Sequence, residues 1–497
     1  MAHETGSVRD AVAPRSRLYQ GPFGRIFDDL DPWRPDGVTE DGLQAFCLDI
    51  ANTLMLERTG DPVPPPRDVD EASADAEFSS GVPAGYTYFG QFIDHDITFD
   101  PASSLQRRND PNKLINFRTP RLDLDCVYGR GPADQPYLYE PDGRFIIGKT
   151  TDSNLRDLQR NVNGRALIGD MRNDENAIVS QLQLAFLLAH NTLVGRAAAA
   201  GSSDPFAAAQ RTLRWLYQWV VWNDFLPRVT NPAVHDEALT KVVKPTGRVV
   251  WERGLADVYS WSDQPFMPVE FSVAAYRFGH SMVRNAYQTN NPHRHFGVFA
   301  PIFDNTPGAS GDDLRGFRPV DKLNSLQWDW FLPMTSSAGP FPQMARRIDT
   351  KLANALAFLH EGVAGSPMNV LASRNLLRGI QFELPSGHDV AVKLGLTPMA
   401  LDPGEPGALW FYVLKEAQVE PGNTLGPVGS IIVNAVFAGL LTGDPRSWFN
   451  VDPNWTPGAD PLLQPGTDDV DDAAWTLASI IRLSGLPVDD PQMTAQT

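Results

Sequence analysis

Between Asp174 and Ala200 the apolar residues Ala177, Ile178, Leu182, Phe186, Leu187, Leu193 and Val194 recur at helical intervals. A face that wide must be covered, so the segment predicts a long helix inside a sizeable core. The same spacing returns along the chain. Leu43, Phe46, Ile50 and Leu54 predict a helix with Thr39 as N-cap and Asp41 in its first turn, stopped before Asp61-Pro62-Val63-Pro64-Pro65-Pro66. Phe206 to Leu226, with Trp215, Trp219 and Trp222, predicts an aromatic core helix ending at Pro227, and Val269 to Val283 another buried helix. Helical spacing also marks 341–361, 371–378, 427–442 and 472–484, whereas strand patterns are few and short. The expected fold is mainly α, a single large all-helical domain over 39–490 with long loops and very little strand. An arm at 1–38 precedes it and a tail at 491–497 follows.

One stretch carries more than core. From Gly85 to Asp100, Gln91, Asp94, His95 and Asp96 fall within six residues, among Tyr86, Tyr88, Phe89, Phe92, Ile93, Ile97 and Phe99. Burying that many polar groups is costly unless each has a partner, so the cluster predicts a site or a fully satisfied structural network. Phe89, Phe92, Ile93 and Ile97 follow helical spacing, which puts Gln91 and His95, four apart, on one face. From Thr119 to Gly129 oxygen side chains alternate, as in a loop that binds a hard cation; solvated acidic loops share the pattern. Arg172 and Glu175, three apart, point the same way if both lie in one turn, as a surface ion pair also would. His280 lies beside Gly279 in an apolar segment and is either a ligand to iron or zinc or a satisfied core histidine. A glycine within a helix costs about 1 kcal/mol relative to alanine, which predicts that something flat or bulky passes close to the backbone at Gly279. His190-Asn191 reads as a structural pair.

Charge and composition exclude several classes. The 60 acidic and 42 basic residues give a net charge of −18, with no Lys/Arg block, which excludes nucleic acid as a partner. Two cysteines, Cys47 and Cys126, rule out a disulfide framework and are expected as buried thiols. No uninterrupted apolar run reaches about 18 residues, and Met1 to Leu30 lacks a signal-peptide core, so a cytoplasmic protein without an integral membrane segment is expected. There is no Gly-rich phosphate loop, Ser-centred nucleophile elbow, paired-Cys metal site or internal repeat.

Taken in order, five motifs agree with one family. Gln91-Phe92-Ile93-Asp94-His95-Asp96, the Thr119 to Gly129 loop, Arg172-Asn173-Asp174-Glu175, Tyr276-Arg277-Phe278-Gly279-His280 and Arg374-Asn375-Leu376-Leu377-Arg378-Gly379 resemble the animal-type haem peroxidases of the peroxidase–cyclooxygenase superfamily. The likeness is to a bacterial-like branch and extends from about residue 40 to 485, including Val428-Gly429 and Gly443-Asp444. It implies haem b, with His280 as the proximal iron ligand, Asn375 orienting its second ring nitrogen, and Arg277 and Arg378 facing the propionates. It implies His95 as distal acid–base, Gln91 in the same pocket and Arg172 as distal arginine. Asp94 and Glu175 fall where the family can form ester bonds to haem, and Asp96, Thr119, Arg121 through its carbonyl, Asp123 and Asp125 where it binds calcium. The implied reaction reduces hydrogen peroxide through a ferryl and porphyrin-radical intermediate and oxidises a small electron donor or a halide. The alternatives are a haem dioxygenase or oxidase acting on a lipid or natural product, and a non-catalytic haem-binding protein. Three departures stand out. Asn176 replaces the methionine that some members bond to haem through sulfur. Arg277 stands where cyclooxygenases carry a radical-forming tyrosine. Ile380-Gln381-Phe382-Glu383 replaces the Arg-Asp-His-Gly run of the mammalian enzymes.

Overall fold

The computed structural model describes residues 23–56, 79–99, 116, 118, 120–149, 156–261, 265–291, 299–303, 313–321, 324–334, 342–357, 369–419, 422–469 and 474–486. The proposed N-terminal arm up to residue 22, the Asp61 to Pro66 stop, Thr119 and the 491–497 tail therefore lie outside the described residues. Eight α-helices of at least eight residues form the described frame: α1 (Leu43–Ile50), α2 (Gly85–Ile97), α3 (Ala177–Ala199), α4 (Pro205–Val220), α5 (Leu371–Gln381), α6 (Leu409–Val419), α7 (Pro427–Gly443) and α8 (Leu477–Ser484). Strand is confined, among the described residues, to five two-stranded pairs.

α3 is the centre. Asn176 caps it, its side-chain oxygen accepting from Val179 N at 2.9 Å, and α2, α4 and α8 all pack on it. With 23 residues and a mean hydropathy of 1.4 it is long and apolar enough to cross a bilayer, yet 89% of that window is buried inside the protein. Buried Ser180, Gln181, Gln183 and His190 interrupt its apolar run, which is why a count of uninterrupted apolar residues passes over it. His190 is structural as expected, with Nδ1 3.0 Å from the Tyr128 hydroxyl and Nε2 3.1 Å from the Gly143 carbonyl. Aromatic rings lock α2 into this centre. Phe92 stacks on Phe186 at 4.5 Å, and Phe89 meets Phe225 at 5.7 Å and Tyr217 at 6.1 Å edge-on. Each such pair contributes about 0.5–1.5 kcal/mol beyond area burial. Cys47 and Cys126 are free and buried, as expected.

Several local expectations need correction. Thr39 makes no side-chain cap bond and precedes a single 3₁₀ turn, Glu40–Gly42, before α1. The aromatic helix does not end at Pro227. It widens into a π turn over Val221–Phe225 and resumes as Leu226–Val229, with the proline in the first turn, where a missing N–H costs nothing. Over the described residues of 341–361 the structure has a strand, Met344–Arg346, paired antiparallel with Ser79–Pro83, and a short helix, Asn354–Ala357, in place of a continuous helix; apolar spacing does not foresee the strand pairing. The segment around His280 is not a regular α-helix either. A π stretch, Glu270–Ala274, breaks at Ala274 (φ −126°, ψ −80°) and tightens into a 3₁₀ stretch, Ala275–His280. Wide and tight turns of this kind re-aim side chains.

Candidate active site

α2 supplies the first half of the site. At 100° per residue, Gln91 and His95 share a face and Asp94 and Asp96 leave to either side of the histidine. His95 is buried, and its Nδ1 lies 2.7 Å from Asn173 Oδ1. That oxygen is aimed by Asn173 Nδ2, which donates to Gln183 Oε1 at 2.8 Å. The ring therefore carries its proton on Nδ1 and keeps the Nε2 lone pair, 3.6 Å from Glu175 Oε1. Burial, assisted by the charge of Arg172, lowers the imidazole to about 3, so it is neutral near pH 7. Gln91 bridges the polar side chains, with Nε2 donating to Glu175 Oε1 and Oε1 accepting from Asn176 Nδ2 at 3.1 Å. Asn176 thus does two jobs, helix cap and anchor for Gln91.

Arg172 enters from the turn before α3. Its Nη2 donates to the carbonyls of His95 at 2.9 Å and Thr98 at 2.7 Å, and its guanidinium lies 4.6 Å from the Phe99 ring centre. Nε and Nη2 both bond the Asp170 carboxylate, at 3.2 and 2.8 Å. Burial alone would raise the Asp170 carboxyl; the charges of Arg172 and Arg118 outweigh it and hold the group far below the usual carboxylate range. The other two carboxyls near Arg172 go the opposite way. Burial raises Asp94, against Arg172 and Arg277, and raises Glu175 to about 7, against Arg172 and the bond from Gln91. Asp94 also accepts from Thr98 Oγ1 at 3.0 Å.

His280 heads the second half. Burial, reinforced by Arg277 and Arg374, lowers its imidazole to about 3, so it is a neutral nitrogen donor. Asn375 on α5 meets its Nδ1 at 2.8 Å, through the amide nitrogen. The amide faces that way because its Oδ1 accepts from Arg277 Nη1, also at 2.8 Å. Arg277 and Arg378 stand close enough that burial and mutual repulsion lower Arg277 to about 10; Arg378 lies over Phe382 at 5.0 Å. The close approach expected at Gly279 is not made by any described protein atom. No described atom lies within 4 Å of the position a Cβ would take there, so the backbone borders open space. The two halves touch where Tyr276 donates to the Gly90 carbonyl at 3.3 Å, and the charges of Arg172 and Arg277 both reach Asp94.

On the far flank of α2, one carboxylate oxygen each from Asp96, Asp123 and Asp125 lie within 4.8 Å of one another. Asp96 accepts from the amides of Leu124 at 3.2 Å and Cys126 at 3.4 Å, which Leu124 aims by adopting a left-handed conformation (φ 60°) at a cost of roughly 1–3 kcal/mol. Burial and the neighbouring Asp123 raise Asp96 to about 7. Asp123 also accepts from Arg446 at 2.9 Å, and the Arg121 side chain is buried with Nε 3.8 Å from Asp444. No sequence signal gives a role to Asn173, Asp170, Arg118 or Arg446, and Asn176 stands out there only as the residue in place of a methionine. Asn173 lies within a named motif and Asp170, Arg118 and Asn176 beside one, but no periodicity marks them.

The fold is shared with solved structures. The structure superposes on Peroxidase A from Dictyostelium discoideum with a TM-score of 0.59 at 16% identity, covering 92% of this chain and 95% of that one. It also superposes on the fatty acid alpha-dioxygenase of Oryza sativa, with a TM-score of 0.58 at 15% identity, covering 96% and 82%. Residues 102–300 match the family model of the animal haem peroxidases. The chorion peroxidase of Drosophila melanogaster is 28% identical over 319 residues, 58% of this chain and 35% of that protein. A peroxidase-like protein of Margaritifera margaritifera is 28% identical over 270 residues, 41% of this chain and 32% of that protein. This chain spans about one third of the length of these curated relatives.

Proposed function

We propose that the chain is a haem-dependent peroxidase that reduces hydrogen peroxide and oxidises small organic donors or a halide. The observation that carries this reading is the presence, on two stretches joined by the Tyr276–Gly90 hydrogen bond, of two neutral imidazoles: His95, with its Nε2 lone pair available and Arg172 beside it, and His280, beside open backbone at Gly279. The residues present fit haem. His280 would hold the iron, Arg277 and Arg378 would meet the propionates, and Asp94 and Glu175, both raised above the usual carboxylate range by burial, would lie at the haem edge as candidates for ester links. Bound haem would supply the iron that takes up the peroxide oxygen and the electrons that cleave the O–O bond.

The remaining chemistry is that of the side chains. His95 Nε2 takes the proton of peroxide and returns it to the departing oxygen, while Nδ1–H stays on Asn173 and fixes the tautomer. Arg172, always charged and shielded from water, stabilises the negative charge that develops on the leaving oxygen. To serve as an iron ligand, His280 needs its proton on Nδ1. Asn375 would then present Oδ1 to that proton, with Arg277, which now donates to this oxygen, pairing elsewhere, as with a propionate. On the other flank of α2, Asp96, Asp123 and Asp125, with Thr119 and the Arg121 carbonyl, would bind calcium. Three carboxylates in one place suit a hard cation.

The test mixes haem-loaded protein with hydrogen peroxide in a stopped-flow spectrometer. A fast Soret change is expected, slowed about 10²–10⁴-fold by His95→Ala. A wild-type spectrum that does not respond would end the reading. The same sample, denatured and weighed, shows whether haem remains attached. The second reading, dioxygenation of a lipid, draws on the likeness to the plant dioxygenase fold; oxygen consumption without added peroxide would favour it.

A further inference from the structure

Arg172 lies among three carboxyls, and only one of them holds it. Asp170 takes Nε and Nη2, whereas Asp94 accepts from Thr98 Oγ1 and Glu175 from Gln91 Nε2. Asp170 is itself 3% exposed and is held from behind. Arg118, also buried, donates to it through Nε at 3.0 Å and through Nη2, and its Nη1 donates to Asp125 at 3.1 Å. A continuous run of buried charge thus leads from the carboxylate loop to the distal arginine, namely Asp125, Arg118, Asp170 and Arg172. It ends on the carbonyls of His95 and Thr98 at the C-terminal end of α2. Buried charges of alternating sign do not move independently, since breaking one link leaves an uncompensated ion in a dry interior. Without Asp170, Arg172 has two other carboxyls to turn toward, both on the pocket side.

We propose that Asp170 is a positioning residue for Arg172, and that Arg118 couples this positioning to the cation state of the Asp96, Asp123 and Asp125 loop. The proposal rests on the peroxidase reading. Cation binding draws Asp125 toward the metal, Arg118 follows or releases it, and Asp170 transmits the change to the guanidinium. By linkage, whatever alters Arg118 alters calcium affinity, and whatever removes calcium alters Arg172.

The test uses haem-loaded protein and three measurements: the rate of the Soret change with hydrogen peroxide, the Kd of cyanide on the ferric protein, and the Kd of calcium by titration calorimetry. Arg172→Gln sets the scale of full loss. Asp170→Asn is expected to slow the peroxide step about 10–100-fold and to weaken cyanide, with the melting temperature and haem content retained. Arg118→Gln is expected to give a smaller loss, to weaken calcium, and to make the peroxide rate insensitive to chelation, because stripping calcium and removing Arg118 break the same run. If Asp170→Asn does not fold, Asp170→Glu, which keeps the charge but displaces it by one methylene, gives the same readout. An Asp170 variant within twofold of wild type in both rate and cyanide affinity, beside a disabled Arg172→Gln, would overturn the positioning role. Additive losses from chelation and Arg118→Gln would overturn the coupling. A normal peroxide rate in Arg172→Gln would instead remove the role given to Arg172, and with it the positioning role of Asp170, whereas a wild type that does not respond to peroxide would sink the peroxidase reading itself.

Discussion

The two halves of the site are built differently. Around His95 a regular helix presents side chains whose hydrogen bonds close on one another: Asn173 on Nδ1, Gln91 on Glu175, and Asp170 and two carbonyls on Arg172. Around His280 the backbone is irregular, positive charge gathers as Arg277, Arg374 and Arg378, and the arginine nearest the histidine spends a hydrogen bond on a neutral amide. The first half closes among its own side chains and main-chain carbonyls, whereas the second gathers three arginines around a neutral amide. The difference shows that a regular helix can fix a polar network that an irregular stretch leaves to residues from other elements.

The largest expected effect falls on the second half. His280→Ala should weaken haem binding to the apoprotein by ~100-fold or more in a spectroscopic titration, whereas His95→Ala should leave it nearly unchanged. Equal losses from both would erase the distinction between the halves. A smaller effect concerns Glu175 in the haem-free protein. Its carboxyl is raised to about 7 in the fold, so the native state keeps the proton longer than the unfolded chain does. The stability this gives is complete below the ordinary carboxylate range and is lost as pH rises toward 7. Glu175→Gln should therefore melt about 1–2 °C above wild type at pH 8, with less gain at pH 5. No gain at pH 8 would mean that the carboxylate ionises there without cost. The smallest effect tests how tightly the closed half is knit. Asn176→Ala removes the cap of α3 and the bond to Gln91, and should lower stability by about 1 kcal/mol in urea unfolding. Loss of substantially more would show that Gln91 and Glu175 depend on it.

What the sequence determined by itself was local. Helical spacing located α2, α3 and α7 within a few residues, because a helix is written in neighbours three and four apart. The residue types of the motifs named His95, Arg172 and His280 and the family they imply. Spacing failed where the backbone leaves the regular helix, at Glu270 to His280 and at 341–361, since period alone does not separate a widened turn or a paired strand from a helix. The tertiary structure decided which groups meet. Asn173 reaches His95 across 78 residues and Asn375 reaches His280 across 95. Arg118 joins the carboxylate loop to Asp170 across 52. A buried polar group must find its partner wherever the folded chain brings one, and no local pattern in the sequence records that.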